Sequence, residues 1–142
     1  MLKVDFYILQ QDSPNAEWLF ACKLVEKAYE RGHQIYIHCA SEQDALAFDE
    51  LLWAFNPSSF IPHHIQGEGP EPPPPVQIGF QNQCGFRDII INLSSEVPAF
   101  HTQFKRIFEI VSQDEQQKTV KRTHYKFYQS KKYAIQNHKI EH

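Results

Sequence analysis

The sequence predicts an α/β fold: Rossmann-like, with a mainly parallel sheet and helices on both faces. Two observations carry this. Short apolar runs such as IYIHC (Ile35–Cys39) and DIIINL (Asp88–Leu93) lack polar alternation, as strands covered on both faces do. Between such runs lie segments with apolar residues at helical spacing. Strands separated by helical patterns imply βαβ crossovers, hence parallel neighbours, and right-handed crossovers make the sheet Rossmann-like.

The elements follow in order. Lys3 to Leu9 (KVDFYIL) alternates Val4, Phe6 and Ile8 on one face with Tyr7 and Leu9 on the other, a first strand. Ser13 is an N-cap candidate with Pro14 at the first helical position, and Trp18, Cys22, Val25 and Tyr29 continue at helical spacing to a terminating Gly32. Ile35–Cys39 is the second strand. Ser41 caps a second helix, with Asp44 three residues on. Ala45, Phe48 and Leu52 face its core, while Trp53 joins Leu46 and Glu50 on a neighbouring stripe, and Pro57 stops it. Phe60 to Pro75 reads as loop, with GEGP at Gly67–Pro70 and a stiff, extended Pro72–Pro75. Val76–Phe80, Asp88–Leu93 and Ile107–Val111 are further strands, Val97–Phe104 a short helix. Asp114 caps a last helix running to about Gln129.

The 142 residues suit a single domain, residues 1–142. With 42% hydrophobic and 13% aromatic residues the chain can bury a core. No run approaches the roughly 20 apolar residues of a membrane span, and the N-terminus reads as a strand and not as a signal peptide. A cytoplasmic protein with no membrane contact is expected. Cys22, Cys39 and Cys84 form no CxxC pair, so neither a disulfide framework nor a thiolate zinc site is indicated.

The net charge of −3 conceals an asymmetry. From Gln116 to Ile140 there is no acid, yet that stretch carries Lys118, Lys121, Arg122, Lys126, Lys131, Lys132 and Lys139. A mildly acidic body ending in a basic segment points to an anionic partner, or to a solvated helix face that only keeps the chain dispersed.

Most chemistry is excluded by what the motifs lack. The first strand is followed by QQDSPN, without the glycines that let backbone N–H groups approach a phosphate. GEGP follows no clear strand and no lysine comes after it. No cofactor is expected. His63 and His64 are adjacent, a poor ligand spacing, His38 falls in a buried run, and there is no HExxH, so no metal is expected. No GxSxG or electropositive cysteine supports a nucleophile. Arg87–Asp88 reads as orienting the strand that follows.

Two patches remain. Trp53, Phe55, Phe60 and Ile61 cluster around Pro57 and Pro62, either as a docking surface or as a satellite core under the loop. Lys118, Arg122 and Lys126 fall at i, i+4 and i+8, one face of a helix, with Val111, Val120 and Tyr125 as apolar neighbours. That combination suits an acidic peptide with a hydrophobic end, since arginine grips a carboxylate through two parallel hydrogen bonds. With Tyr125, Phe127, Tyr128 and Tyr133 it equally suits stacked bases and phosphates, a direct single-stranded nucleic-acid module.

The stretch FDELLWAFNPSSFIPHHIQGEGP (Phe48–Pro70), the opening VDFYIL, the strand RDIIINL and the late K-x-x-x-R-x-x-Y-K-x-Y (Lys118 to Tyr128) together resemble the chi subunits of bacterial DNA polymerase III. The likeness runs over nearly the whole chain; its central signature is specific, its terminal parts weak alone. The resemblance implies a non-enzymatic, Rossmann-like adaptor that binds no nucleotide. It implies pairing with a psi subunit, which ties it to the clamp loader, and capture of the acidic C-terminal tail of single-strand-binding protein, which ends in a hydrophobic residue and a free carboxylate. In some bacteria a repair helicase uses the psi-binding surface. DNA contact is then mainly indirect. Carried over by residue, Trp53 and Phe60 resemble the psi or helicase contact, and Lys118, Arg122, Tyr125 and Lys126 the tail site, with Val111 packing nearby. Two departures stand out: EPPPP replaces a glycine-rich segment, and the tail after Tyr128 is more basic than usual. From about residue 130 that tail either lengthens the electrostatic reach or is flexible.

Overall fold

The computed structural model describes residues 2–10, 15–56, 61–66, 74–81 and 85–140. Along these run β1 (Lys3–Leu9), α1 (Ala16–Glu30), β2 (Ile35–His38), α2 (Glu42–Phe55), β3 (His63–Ile65), β4 (Val76–Gly79), β5 (Ile89–Asn92), a 3-10 helix (Ala99–Gln103), β6 (Arg106–Val111), α3 (Glu115–Ser130) and β7 (Ala134–Ile140). Among the described residues the strands form one sheet in the order β3-β4-β2-β5-β6-β1-β7. Every neighbouring pair is parallel. This is the α/β, parallel, Rossmann-like architecture expected from the alternating runs.

The strands partition their side chains between two cores, as successive residues point to opposite faces. Ile35, Ile37, Ile89, Ile91, Phe108 and Ile110 lie with the buried face of α1 and with Ala45, Phe48 and Leu52 of α2. Trp18 of α1 meets Phe48 of α2 edge-on at 5.6 Å. On the other side Val4, Phe6, Tyr36, Ile90 and Ile107 pack with Tyr128 of α3 and Phe104 beside the 3-10 helix. The central strands β2, β5 and β4 are buried along their length, which explains their unbroken apolar or small-residue character. Cys22 and Cys39 are buried here, and burial pushes both thiols up to about 12; Cys84 lies outside the described residues.

Local signals place the helix ends. Ser41 Oγ accepts the Asp44 N–H at 3.1 Å, and Asp114 Oδ2 accepts the Gln117 N–H at 3.0 Å. Each cap is worth about 1 kcal/mol. At the end of α1, Gly32 takes φ 84°, and the His33 N–H reaches back to the Ala28 carbonyl at 3.1 Å. Only glycine adopts that left-handed turn without strain. The start of α1 corrects the sequence reading. Asn15, left-handed at φ 63°, flanks the helix, which begins at Ala16; Ser13 and Pro14 lie outside the described residues. Asn tolerates this conformation because its short polar side chain adds little crowding.

Two strands escaped the sequence reading. His63–Ile65 is a three-residue edge strand inside the segment read as loop. Ala134–Ile140 is β7, paired with β1 from Lys3↔Ala134 to Leu9↔Ile140, so this part of the basic tail is an ordered strand and not a flexible extension. Gln, Asn, His and Lys give β7 little strand propensity. The exposed hydrogen-bonding edge of β1 organises it instead. Asp88 joins the start of β5 to the turn before β2, accepting from His33 Nδ1 at 2.9 Å and the Gln34 N–H at 3.2 Å.

Gly79 is a close-approach glycine. A Cβ there would stand 2.3 Å from the Tyr36 hydroxyl and 2.6 Å from Gln66 Oε1. The fully buried Tyr36 ring lies over β4 and donates to Gln66 Oε1 at 3.1 Å. Gly79→Ala is expected to destabilise the chain by about 1–3 kcal/mol, read as a lower midpoint in urea unfolding; an unchanged midpoint would show that Tyr36 moves aside freely.

Candidate functional site

The basic ridge rests on a buried carboxylate. Glu109, in the middle of β6, is inaccessible to solvent. Its Oε1 accepts from Lys121 Nζ at 2.7 Å and lies 3.3 Å from His124 Nδ1. Its Oε2 accepts from the Tyr128 hydroxyl at 2.5 Å and Asn92 Nδ2 at 3.0 Å. Lys121, His124 and Tyr128 are the buried residues of α3, at helical spacing. Burial alone would raise the Glu109 carboxyl; the Lys121 charge, then His124, overcome that and hold it at about 2. Tyr128 is pushed up by burial and by Glu109, so it stays a donor.

That docking fixes which residues of α3 face water. Arg122 and Lys126 are exposed and Lys118 partly so, one turn apart along the helix. Lys118 Nζ is 3.8 Å from Glu115 Oε1, a surface pair of little energetic weight. Tyr125, between the ridge and the buried stripe, packs its ring 5.1 Å from Phe6. Val111, at the end of β6, is half-buried against the same cluster. The structure thus brings Lys118, Arg122 and Lys126 onto one helix, with Tyr125 and Val111 in the apolar cluster behind it. Lys121 departs from its place in the basic segment, because it is a core residue. The signal that could have shown this is its spacing: Lys121 shares a stripe with His124 and Tyr128 at i, i+3 and i+7.

The remaining aromatics of this segment are engaged. Phe127 meets His101 edge-on at 5.6 Å and carries Lys131 Nζ 5.6 Å above its ring. The Tyr133 hydroxyl is 3.0 Å from His101 Nε2.

Trp53 lies elsewhere. It is 47% exposed on α2, and its ring packs against His63 of β3, centroids 4.0 Å apart and the planes tilted by 38°. His63 in turn donates Nδ1–H to the Ile61 carbonyl at 2.7 Å, and its Nε2 is 3.4 Å from Asp49 Oδ1. Phe60 lies outside the described residues. Since α2 packs on β3 and β4 and α3 on β6 and β7, the two patches occupy opposite faces, near opposite edges. Seven strands at about 4.8 Å spacing separate the edges by roughly 29 Å.

His38 is buried between Tyr36 and Phe100, its ring 6.0 Å and 5.5 Å from theirs, and burial lowers its pKa. Among the described residues no group of three or more His, Cys, Asp or Glu could hold a metal ion, and no helix is long and apolar enough to cross a membrane.

Comparison with known proteins gives one family. A family model described as DNA polymerase III chi subunit, HolC, matches residues 1–136. A DNA polymerase III subunit chi of Pseudomonas aeruginosa is 37% identical over 141 residues, covering 99% of this chain and 98% of that protein. One of Haemophilus influenzae is 36% identical over 123 residues (85% of each chain), and one of Escherichia coli 31% over 134 residues (90% and 91%). Among solved structures the crystal structure of T4 UvsW superposes with a TM-score of 0.66 at 7% identity; the match spans 99% of this chain and 42% of that one, a likeness of fold alone.

Two outcomes test the anchor. Glu109 falls from its ordinary 4.5 in the unfolded chain to about 2 in the native one. Its contribution is therefore complete above about pH 4.5 and lost as the pH falls towards 2. Acid titration by circular dichroism should show stability declining over that window, and Glu109→Gln should flatten the decline while lowering stability at neutral pH. Lys121→Met leaves a buried charge uncompensated and should cost about 3–5 kcal/mol in denaturant unfolding; a loss below 1 kcal/mol would mean that water or another cation replaces the lysine.

Proposed function

The chain belongs to the DNA polymerase III chi subunit family and so has an accessory role in DNA replication; on that premise we propose that it is a non-catalytic adaptor with two separate docking surfaces. One captures the acidic C-terminal tail of single-strand-binding protein. The other holds the psi subunit and so links the chain to the clamp loader; a repair helicase is an alternative occupant of that second surface. The work is expected at the replication fork in the cytoplasm.

The observation that carries this reading is the Lys118–Arg122–Lys126 ridge beside the Tyr125–Phe6–Val111 cluster. The cations attract an acidic tail from a distance, which speeds encounter and makes it salt-sensitive. Arg122 offers the fork that matches a terminal carboxylate. The terminal aromatic ring packs beside Tyr125 and Val111. A disordered tail loses entropy on ordering, so modest affinity is expected, which suits a protein that hands partners over.

Trp53 supports the second surface. A half-exposed tryptophan tilted against a buried histidine, with Leu46 exposed on the same stripe, is the sort of anchor around which interfaces concentrate their energy. Its distance from α3 makes the two partners independent. The rival reading, single-stranded nucleic acid stacked on the C-terminal aromatics, is weakened because Tyr128 is buried and Phe127 and Tyr133 pack against His101.

Arg122→Ala should weaken binding of a fluorescent acidic peptide ending in Phe by about tenfold, the worth of one charge-assisted contact, and leave psi binding unchanged in a pull-down. Trp53→Ala should do the reverse. If each folded variant loses both partners alike, the two-surface reading is wrong.

A further inference from the structure

A second cationic feature lies on the opposite face of the sheet from α3. There α1 covers the centre of the sheet, and the last strand, β7, extends beyond it. The gap between helix and edge strand is a cavity of about 470 Å³; a second of about 200 Å³ adjoins it, sharing Phe20, Lys23 and Ile140 and reaching Ala16. The trough therefore follows α1 from Arg31 to Ala16, about 22 Å at 1.5 Å per residue.

Its two sides differ. Tyr7, Phe20 and Phe108 make an aromatic floor: Tyr7 lies 5.3 Å from Phe20 and 5.4 Å, edge-on, from Phe108. Buried Asp5 secures that floor, accepting from Arg106 Nη2 at 2.7 Å and His138 Nε2 at 2.9 Å, and His138 stacks on Tyr7 at 4.7 Å. The Arg106 guanidinium thus stays in the trough, its Nε without a partner among the described residues. The rim is Lys23 and Lys27 of α1 and Arg31 just past its end, exposed at i, i+4 and i+8, none in an ion pair among the described residues. Asp5 is committed to the floor and Asp88 to His33; on α1 itself Glu26 accepts from Asn56 Nδ2 at 3.0 Å, and Glu30 follows Lys27 by three residues.

We propose that this trough between α1 and β7 binds single-stranded nucleic acid, with phosphates along Lys23, Lys27 and Arg31 and a base against Phe20 and Tyr7. The match is one of charge and shape. A row of like charges about 6 Å apart serves a polyanion and not a single carboxylate. A linear trough takes a polymer, and aromatic rings beside a cationic track are how unpaired bases are held without sequence preference. An acidic peptide would meet the rim but gain little from the floor. The inference is independent of the tail and psi assignments, since none of its residues belongs to either surface.

Fluorescence anisotropy of the full chain with a labelled oligothymidine of about twelve nucleotides, long enough to fill the trough, tests it at several salt concentrations. Wild type should bind with a log–log salt slope of about −2, from three contacts at about 0.7 each. Lys23→Glu/Lys27→Glu, both on the surface, should lower affinity at least tenfold and flatten that slope with an unchanged thermal midpoint. Phe20→Ala should lower affinity several-fold without altering the slope. Absence of binding by wild type at low salt overturns the proposal. So does loss of binding in Arg122→Ala but not in the trough variants, which would place the strand on α3. If the trough variants lose an acidic peptide but keep the oligonucleotide, the partner class is wrong.

Discussion

Glu109 with its four donors is the constraint on which one face of the molecule depends. A carboxylate taken wholly out of water costs several kcal/mol, and only a complete set of partners offsets that. Here the set is Lys121, His124, Tyr128 and Asn92, three of them on α3. The helix can therefore rotate or slide only by breaking charge-assisted bonds in a dry interior. A purely apolar stripe would tolerate small shifts, because hydrophobic contact has no direction; this cluster does not. Asn92 extends the same restraint through Ser94, 2.7 Å away, into the segment after β5.

The rigidity bears on the proposed tail site. A ridge of three cations selects a partner only if their spacing holds and the apolar cluster stays beside them. Fixing Lys121 inward turns Arg122 outward, and Tyr125 is left at the boundary, one side on Phe6 and the other toward the ridge. The geometry of the exposed face is set from beneath it.

The parallel sheet separates the two proposed docking surfaces by distance. α2 and α3 lie on opposite faces and toward opposite edges, so Trp53 and the ridge stand apart on the surface. The edge strands add the other features: β3 supplies the histidine beneath Trp53, and β7 opens the trough beside α1. The likeness to T4 UvsW at 7% identity is one of fold, and family membership rests on the family model and the chi relatives.

The sequence by itself determined the architecture, because α/β patterning is local. IYIHC and DIIINL declare buried strands; Ser41, Asp114 and Gly32 declare helix ends; and the i, i+4, i+8 spacing puts Lys118, Arg122 and Lys126 on one face wherever their helix packs. The off-stripe position of Trp53 was legible for the same reason. What only the tertiary structure decided were matters of pairing across the chain. Lys121 looked like one more surface cation until β6 placed Glu109 beneath it, twelve residues away. β7 looked like a basic tail until the free edge of β1 gave it hydrogen bonds, and β3 looked like loop until β4 did the same. Lys23, Lys27 and Arg31 became a rim only when β7 supplied the far wall. A local pattern fixes what a segment can be; a buried charge, an edge strand and a cavity each need a partner that is distant in sequence, so they exist only once the chain has folded.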